Sequence, residues 1–385
     1  MAFLPFYIPR QRRIKVVIVG GGYAGMAALT TLKQYSSDID ITLIDPDDKH
    51  LKVTHLHETF RYPLSDLLLP FNVLETRFNC RHIQSVLAVT DELLQQCQEN
   101  RYLAVGDEII EFDYLVITTG ADKQQSEETE NVITLQHFIQ TAGSELLLER
   151  LSRLEQDELF ISVVGAGATG IQFLFEIRQF LSRKRIVAKL RLIYSGDRVL
   201  AQFPQGFDTY VQSCLRDLKI ECVANTRYRR QTDHQIQLEN QQTGEVYELP
   251  SQLTCLFLGK RQENLLSANL FGQVVVDQKT LQNIFAAGDC TVFSSLGSNV
   301  QSAQSAVRKG KLIARNILRH SGFLKVLEPY LHHDIGYVVN LGPSDAVGWL
   351  VSEGNIVTGI PALAIKELVE AQYDLLLKGI DTYVV

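Results

Sequence analysis

Three glycines near the start of the chain have the spacing of a phosphate-binding turn. Gly20, Gly22 and Gly25 follow the apolar run 16–19 and precede an apolar segment that begins near Ala24. The first glycine permits a tight turn, the second lets a pyrophosphate approach the backbone, and the third allows a helix to pack on the strand. The free N–H groups at a helix N-terminus favour bound negative charge. The spacing therefore predicts a strand, a turn and a helix that hold a dinucleotide.

An acidic residue stands where a ribose-binding group is expected. Asp45 ends a strand predicted over 39–44, at the offset of about twenty residues that such an acid usually has from the glycines. The strand, the glycines, the helix and the acid together favour a dinucleotide site. The alternative is a glycine turn in an ordinary α/β unit.

The same glycine spacing recurs in the middle of the chain. Gly165, Gly167 and Gly170 follow the apolar run 159–164 and precede an apolar helix predicted over 171–180. A repeat of the whole strand–turn–helix unit argues against coincidence. It implies two bound dinucleotides, or one cofactor and one co-substrate.

The second unit lacks the acidic residue of the first. The strand 190–193 ends at Tyr194, where the ribose acid would stand. Three interpretations stay open: a site without a preference for NADH, a site in which Ser195 and Arg198 accommodate a 2′-phosphate, and a site that binds its nucleotide weakly.

Two further apolar strands deliver polar residues at turns. The strand 112–117 leads into Thr119 and Gly120, and the strand 284–287 leads into a turn that contains Asp289. The Asp289 carboxylate would bond a cofactor hydroxyl or, alternatively, stabilise the turn. The next segment is predicted to be a helix over 300–318, and its small residues would let it lie close to a flat group; they are Ala303, Ala306 and Gly310.

The composition excludes several classes of protein. The chain has 385 residues, 45% hydrophobic and 21% charged, with a net charge of −7, which argues against a nucleic-acid surface. None of the six cysteines forms a C-x-x-C motif, so a redox-active disulfide and a local zinc site are disfavoured and a reducing compartment fits. Three nearby histidines, His50, His55 and His57, lack a supporting carboxylate pattern, and we predict no metal.

Both ends of the chain leave open a contact with a membrane. Residues 1–9 are apolar and aromatic and are followed by cations, which suits either an interfacial membrane contact or a packed arm. A helix predicted over 361–378 would dock on its own protein, on a partner in a homodimer, or on a membrane surface. Its apolar stripe is predicted to consist of Ile365, Leu368, Val369, Leu375 and Leu376, with Lys366, Glu367, Glu370 and Asp374 opposite.

Five motifs together resemble the pyridine nucleotide–disulfide oxidoreductase family, and within it the type II NADH dehydrogenases. The resemblance covers nearly the whole chain. The matching stretches are 17–25 with Asp45, 114–121, 163–170, 284–290, and 302–306 with Gly310.

The resemblance implies an α/β fold with two Rossmann-like dinucleotide-binding domains, as in glutathione reductase. The domain for NAD(P)H (124–276) is inserted into the FAD-binding domain (1–123 and 277–325), and a C-terminal segment (326–385) would contribute an interface or a membrane contact. The implied cofactor is FAD, with NADH or NADPH as co-substrate. The implied reaction is hydride transfer to the flavin, followed by electron transfer to a quinone.

The resemblance also assigns roles to residues. The cofactor-binding residues would include Gly20, Gly22, Gly25, Asp45, Thr119, Gly120, Gly165, Gly167 and Gly170. The family's aspartate at position 289 contacts the flavin ribityl chain. Ala303 would lie under the flavin, and Gln304 would border the quinone pocket. The redox cysteine pair of the disulfide reductases is absent from the matching segment.

Three positions depart from the family pattern. Gln172 replaces a glutamate near the nicotinamide, Tyr194 replaces the ribose acid, and Arg308 replaces a glutamine on the quinone side. Gln172 and Gln304 are nevertheless the predicted catalytic positions. The departures keep two alternatives open: a soluble NAD(P)H oxidoreductase with a protein or small-molecule acceptor, and a redox-responsive flavoprotein with a weak nicotinamide site. The expected location is cytoplasmic, either free or peripheral on the inner face of a membrane.

Overall fold

The computed structural model describes residues 3–10, 12–121, 129–154, 158–259 and 265–383. The predicted boundary between residues 123 and 124 lies outside these ranges. The α-helices are Tyr23–Tyr35, Phe71–Phe78, Asp91–Asn100, Leu135–Gln140, Gly143–Leu151, Ala168–Lys184, Gln205–Asp217, Ala303–Ser321 and Gly359–Leu377. Two 3₁₀ segments are Val53–Phe60 and Leu64–Leu67.

An eight-stranded sheet forms the larger half of the molecule. Its strands, in spatial order, are Thr291–Phe293, Leu266–Ala268, Gln273–Val276, Lys279–Ala286, Tyr114–Ile117, Ile14–Val19, Ile39–Asp45 and Arg81–Gln84. The central strands are parallel neighbours. Continuous apolar runs occupy them because both faces of a parallel sheet are covered.

A second, five-stranded sheet carries the second glycine turn. Its strands, in spatial order, are Glu221–Val223, Lys189–Ile193, Phe160–Val164, Leu253–Leu256 and Val132–Thr134. All four pairings in it are parallel. The two parallel sheets confirm the predicted pair of Rossmann-like units.

Four smaller sheets complete the described strands. Two are three-stranded: Thr226–Gln231, Gln235–Asn240 and Val246–Pro250; and Gly336–Asn340, Ala346–Leu350 and Ser352–Thr358. Two are two-stranded: Lys49–Leu51 with Leu68–Pro70, and Tyr102–Val105 with Glu108–Glu111.

The larger sheet contains strands from both sides of the middle segment. Its strands before residue 118 and after residue 265 pair directly, as Tyr114–Ile117 does with Lys279–Ala286. The strands Leu266–Ala268 and Gln273–Val276 also lie in this sheet, although the predicted division assigned them to the middle domain. The domain boundaries themselves stay a prediction.

The C-terminal helix Gly359–Leu377 does not present the predicted faces. Lys366 is buried and Leu368 is 65% exposed, so the predicted stripe is wrong at both positions. The reason is that the Lys366 ammonium lies 2.9 Å from the Glu370 carboxylate and 3.7 Å from that of Glu58. A charge can be buried where opposite charges face it, and periodicity along one helix does not reveal a partner from elsewhere. Tyr373 also lies in the core.

Candidate active site

The first glycine turn is tightly packed at two of its three glycines. Gly20 has a φ of +101°, and a Cβ there would lie 2.3 Å from the Thr118 carbonyl oxygen. A Cβ at Gly25 would lie 2.0 Å from the Gly20 carbonyl oxygen. These two glycines therefore let the turn close and let the helix Tyr23–Tyr35 approach the sheet.

Gly22, in contrast, faces open space. It is the N-cap of the helix Tyr23–Tyr35, and a Cβ added there would meet no atom within 4 Å. The helix N-terminus thus adjoins an open position, as binding of a pyrophosphate requires. The residues of the first turn fit a dinucleotide.

Asp45 is held directly against this turn. Its Oδ2 accepts a hydrogen bond of 2.6 Å from the Gly21 N–H, and its Oδ1 accepts one of 2.9 Å from the Asp47 N–H. Burial raises the pKa of this carboxyl, and the two donated bonds oppose that shift. The structure therefore places the predicted ribose acid beside the glycines.

Thr118 is a residue of this site that sequence reasoning missed. Its buried hydroxyl lies 2.9 Å from the Val19 carbonyl oxygen and 2.8 Å from that of Gly20. It therefore ties the strand Tyr114–Ile117 to the turn. The next residues, Thr119 and Gly120, continue along the rim, where Gly120 has a φ of +79° and open space beside it. A threonine two residues before a glycine is a weak sequence signal for this role.

The Asp289 turn and the helix Ala303–Ser321 both pack on the start of the first helix. A Cβ at Gly288 would lie 3.1 Å from the Ala24 Cβ, and one at Gly310 would lie 2.3 Å from the Ala24 carbonyl oxygen. The two glycines bring the half-buried Asp289 and the N-terminus of Ala303–Ser321 to the first turn.

The helix Ala303–Ser321 begins three residues later than predicted because Ser302 caps it. The Ser302 hydroxyl accepts a hydrogen bond of 3.1 Å from the Ser305 N–H. Ala303 and Gln304 are consequently the first two residues of the helix, both half-buried. Their backbone N–H groups belong to the positive end of the helix dipole.

A buried lysine, Lys309, lies behind the Asp289 turn. Its ammonium group donates a 3.0 Å hydrogen bond to Asn299 Oδ1 and lies over the rings of Phe293 and Tyr330, at 5.0 and 5.5 Å. Burial lowers the pKa of Lys309 to about 8, and the nearby Asp289 carboxylate opposes that shift. Sequence reasoning missed it because lysines are rarely buried.

The second glycine turn repeats the geometry of the first. Gly165 has a φ of +109°, and a Cβ there would lie 2.2 Å from the Phe257 carbonyl oxygen; a Cβ at Gly170 would lie 1.9 Å from the Gly165 carbonyl oxygen. Gly167 caps the helix Ala168–Lys184, and its nearest neighbour would be Gln202 Nε2 at 3.8 Å. The space for a phosphate is again at the middle glycine.

The side chains at the ribose position of the second unit turn away from it. Tyr194 is buried, and its hydroxyl accepts a 3.3 Å hydrogen bond from Gln212. The Arg198 guanidinium donates to Gln205 Oε1 at 2.8 Å and to the carbonyl oxygens of residues 201 and 203 at 2.6 and 3.2 Å. Arg198 is therefore occupied within its own loop, whereas Asp197 is exposed.

Charged side chains fill the space between the helix Ala168–Lys184, the 3₁₀ segment Val53–Phe60 and the C-terminal helix. The fully buried Glu176 accepts a 3.1 Å hydrogen bond from Arg61 Nε. The half-buried Gln172 lies one turn earlier on the same helix.

One group of side chains in the described ranges has the spacing of metal ligands. Ligand atoms of His55, Glu58 and Glu370 all lie within 4.8 Å of one another. The Lys366 ammonium, 2.9 Å from Glu370, already supplies a positive charge to this group. Burial raises the pKa of Glu58, but the hydrogen bond with His55 and the nearby His57 and Lys366 outweigh burial and lower the pKa to about 2.

All six cysteines are described, and all are free thiols. Burial raises the pKa of Cys255 to about 12 and raises that of Cys290, which adjoins Asp289. A protonated, isolated thiol is a poor nucleophile. None of the six cysteines forms a disulfide, and the raised pKa of Cys290 disfavours thiol–disulfide exchange beside Asp289.

Known proteins resemble this chain over most of its length. A family model described as pyridine nucleotide-disulphide oxidoreductase matches residues 14–310. Type II NADH:quinone oxidoreductases of Staphylococcus aureus, among them those of strains NCTC 8325 / PS 47 and COL, are 26% identical over 394 aligned residues. The alignment covers 94% of this chain and 95% of each relative.

Solved structures share the fold over the same length. NDH2 from Plasmodium falciparum in complex with NADH superposes with a TM-score of 0.79 at 15% identity, covering 96% of both chains. The sulfide:quinone oxidoreductase of Aquifex aeolicus superposes with a TM-score of 0.76 at 16% identity, covering 95% of this chain and 92% of its own. At these identities the likeness establishes the arrangement of the two units and nothing of their ligands.

Proposed function

Because this chain belongs to the pyridine nucleotide-disulphide oxidoreductase family, we propose that it is an FAD-dependent NADH:quinone oxidoreductase of the type II class. The observation that carries the proposal is the similarity to type II NADH:quinone oxidoreductases, which extends over 94% of this chain and 95% of those relatives. The isolated thiols support it, since a disulfide reductase needs a cysteine pair beside its flavin.

One set of residues would bind FAD, and a second set would bind the nucleotide co-substrate. FAD, when bound, accepts a hydride from the nicotinamide and passes two electrons to the quinone. Gly22 and the helix behind it would hold the FAD pyrophosphate, Asp45 its ribose, and Asp289 its ribityl chain. The N-terminus of the helix Ala303–Ser321 would stabilise the negative charge that arrives with the electrons.

The second turn would orient the co-substrate. Gly167 and the helix Ala168–Lys184 would hold its pyrophosphate, and Gln172 would lie toward the nicotinamide. Gln304, beside the capped helix start, would border the acceptor on the other side. The order of sheets supports a nucleotide domain inserted between two parts of an FAD domain.

We propose NADH rather than NADPH as the donor. A 2′-phosphate requires a free cation at the end of the strand Lys189–Ile193. The Arg198 guanidinium donates its hydrogen bonds within its own loop. The exposed Asp197 carboxylate would repel a phosphate. Tyr194 is buried and offers no charge.

We also propose that the acceptor is reached from a membrane surface beside the helix Ala303–Ser321. In the described ranges, no helix is both long enough and apolar enough to cross a bilayer. Three loops that are joined by hydrogen bonds, the first of which leads into Ser302, nevertheless expose apolar side chains: Leu296, Val300, Leu331, Ile335 and Val351, exposed by 81%, 53%, 56%, 55% and 80%. We call this set the apolar rim.

Hydrogen bonds hold the loops of the apolar rim together. The Ser298 N–H donates to the His332 carbonyl oxygen at 2.8 Å, and the Val351 N–H donates to that of Ile335 at 2.7 Å. The N-terminal arm is the other candidate for a membrane contact. It packs at the far end of the same helix, where the Phe323 N–H donates to the Ile8 carbonyl oxygen at 3.2 Å. Nineteen helical residues separate the two surfaces by roughly 28 Å.

The test is an anaerobic titration of the purified yellow protein with NADH and, separately, with NADPH, followed at the flavin absorbance band. We expect NADH to bleach the band faster than NADPH, and a short-chain quinone to restore it. Gly167→Ala serves as the matched variant, since its added methyl group has room in the protein but would block the nucleotide; dithionite should still bleach it. If dithionite bleaches the wild-type flavin and neither nucleotide does, the proposal fails.

A further inference from the structure

The two peptides that flank Gly21 in the first glycine turn are each held by a side chain. The Gly21 N–H donates to Asp45 Oδ2 at 2.6 Å, and the Gly21 carbonyl oxygen lies 2.9 Å from His50 Nδ1. A trans peptide directs its C=O and its N–H to opposite sides. His50 therefore sets the direction of the Gly22 N–H, which belongs to the same peptide as the Gly21 carbonyl.

The hydrogen bonds determine the protonation state of His50. A carbonyl oxygen only accepts, so Nδ1 must carry a proton and donate it to Gly21. Nε2 is then an acceptor if the ring is neutral, and the Tyr373 hydroxyl lies 3.0 Å from it. Burial lowers the pKa of His50 to about 4, which keeps the ring neutral near pH 7.

Tyr373 itself is fixed by the C-terminal helix. Its ring packs on that of Tyr23 with centroids 4.5 Å apart, and it is 5% exposed. The neighbouring Asp374 accepts a 2.9 Å hydrogen bond from Lys52. The Tyr373 hydroxyl therefore donates to His50 Nε2, and His50 Nδ1–H donates to the Gly21 carbonyl oxygen. Tyr373 and His50 are 323 residues apart in the sequence.

We propose that Tyr373 is a positioning residue for the FAD pyrophosphate, acting through His50 on the Gly21–Gly22 peptide. Without the Tyr373 hydroxyl, His50 Nε2 loses the donor that favours the Nδ1-protonated form and fixes the ring, so His50 holds the Gly21 carbonyl less firmly. The C-terminal helix thus holds the FAD-binding turn in its binding conformation. This inference rests on the proposed function only in taking FAD as the dinucleotide at the first turn.

The test compares FAD dissociation constants and release rates, followed by the rise in fluorescence as FAD leaves the protein. Tyr373→Phe should raise the dissociation constant about fivefold, the effect of losing roughly one neutral hydrogen bond. Tyr383→Phe is the matched control, since it removes a hydroxyl from the same C-terminal segment and should leave FAD binding unchanged.

A double-mutant cycle separates the effect of the hydrogen-bond relay, from Tyr373 through His50 to Gly21, from the effect of simple packing. His50→Leu should weaken FAD binding, and adding Tyr373→Phe to it should have no further effect, because the relay is already broken. A Tyr373→Phe protein that binds FAD like the wild type, or effects that add in full, would overturn the inference. If His50→Leu does not fold, the FAD dissociation constants of Tyr373→Phe and Tyr383→Phe are compared instead. Weaker FAD binding by Tyr373→Phe alone supports the inference, and equal binding by the two variants overturns it. NADH oxidation by the wild type tests the proposed function separately.

Discussion

At the scale of single residues, the glycines of the two turns divide into two kinds. Gly20, Gly25, Gly165 and Gly170 are required by the fold, because a side chain would collide with backbone atoms. Gly22 and Gly167 have room for a methyl group, with φ near −75° in both. Only the ligand can therefore require a glycine at these two positions.

Gly22→Ala should separate folding from cofactor binding. We expect the free energy of unfolding of the apoprotein to change by less than about 1 kcal/mol, and the FAD dissociation constant to rise at least about tenfold, since the methyl group occupies the phosphate position. Chemical denaturation and flavin fluorescence measure the two effects. Gly20→Ala is the contrast and should fail to fold; tight FAD binding by Gly22→Ala would contradict the assignment of the turn.

The buried histidines predict how stability depends on pH. The unfolded chain takes up a proton on His50 as the pH falls below its ordinary pKa of 6.5, whereas the folded protein does so only near pH 4. The free energy of unfolding should therefore fall between about pH 6.5 and pH 4, by about 3 kcal/mol for this one group. His332, whose pKa burial also lowers to about 4, acts in the same direction.

Urea denaturation at pH 7, 6 and 5 measures this dependence. His50→Gln should make this dependence shallower, because glutamine takes up no proton while His332 still does. His234→Gln alters an exposed histidine and should leave the slope as in the wild type. Equal slopes in the wild type and His50→Gln would refute the argument.

At the scale of elements, the helix Ala168–Lys184 has two tasks. Its N-terminus forms part of the second glycine turn. Glu176, near the middle of the helix, pairs with Arg61, which directly follows the 3₁₀ segment Val53–Phe60. Arg61 Nη2 lies 3.0 Å from a Glu176 side chain that is 0% exposed. The pair aligns the two sheets, since each partner comes from a different one of the two units.

Glu176→Gln should lower the free energy of unfolding by about 2 kcal/mol, because the half-buried Arg61 would keep only the Glu58 carboxylate, 3.7 Å away, as an opposite charge. Chemical denaturation checks this value. Glu149→Gln is the matched control: it breaks a pair of 2.6 Å with Arg153 on a solvent-exposed helix surface, and pairs of that kind contribute about 0.5 kcal/mol. Equal losses of unfolding free energy in Glu176→Gln and Glu149→Gln would contradict the argument that Glu176 links the two units.

At the scale of the whole molecule, two of the surfaces that expose apolar side chains lie far apart. The apolar rim adjoins the start of the helix Ala303–Ser321, and the N-terminal arm, with Phe3 at 85% and Phe6 at 60% exposure, adjoins its end. Gln304 lies at the same end of this helix as the apolar rim, and we propose that a quinone dissolved in a bilayer reaches it from that surface. The two surfaces can be tested against each other.

Introducing charge into the apolar rim should release the protein from phospholipid vesicles. We expect Leu296→Glu combined with Val351→Glu to lower vesicle cosedimentation about tenfold, since each glutamate must leave water to enter the interface. Phe3→Glu combined with Phe6→Glu is the control on the other surface. Loss of binding in the control alone would assign the contact to the N-terminal arm.

The sequence by itself determined both glycine turns, the strands that lead into them and the position of Asp45. These features are local, because a turn of six residues depends on backbone conformations that glycine alone allows, and apolar runs identify buried parallel strands. The predicted helix at 300–318 was displaced by only three residues at each end, since Ser302 caps it.

Only the tertiary structure decided which polar groups meet. The hydrogen bond between His50 and Tyr373, the burial of Lys366 beside Glu370, and the turning of Arg198 into its own loop all depend on partners that periodicity does not reveal. The physical reason is that a buried polar group is tolerated only where a partner satisfies it. For His50 that partner stands 323 residues away, and packing of the C-terminal helix brings the two together.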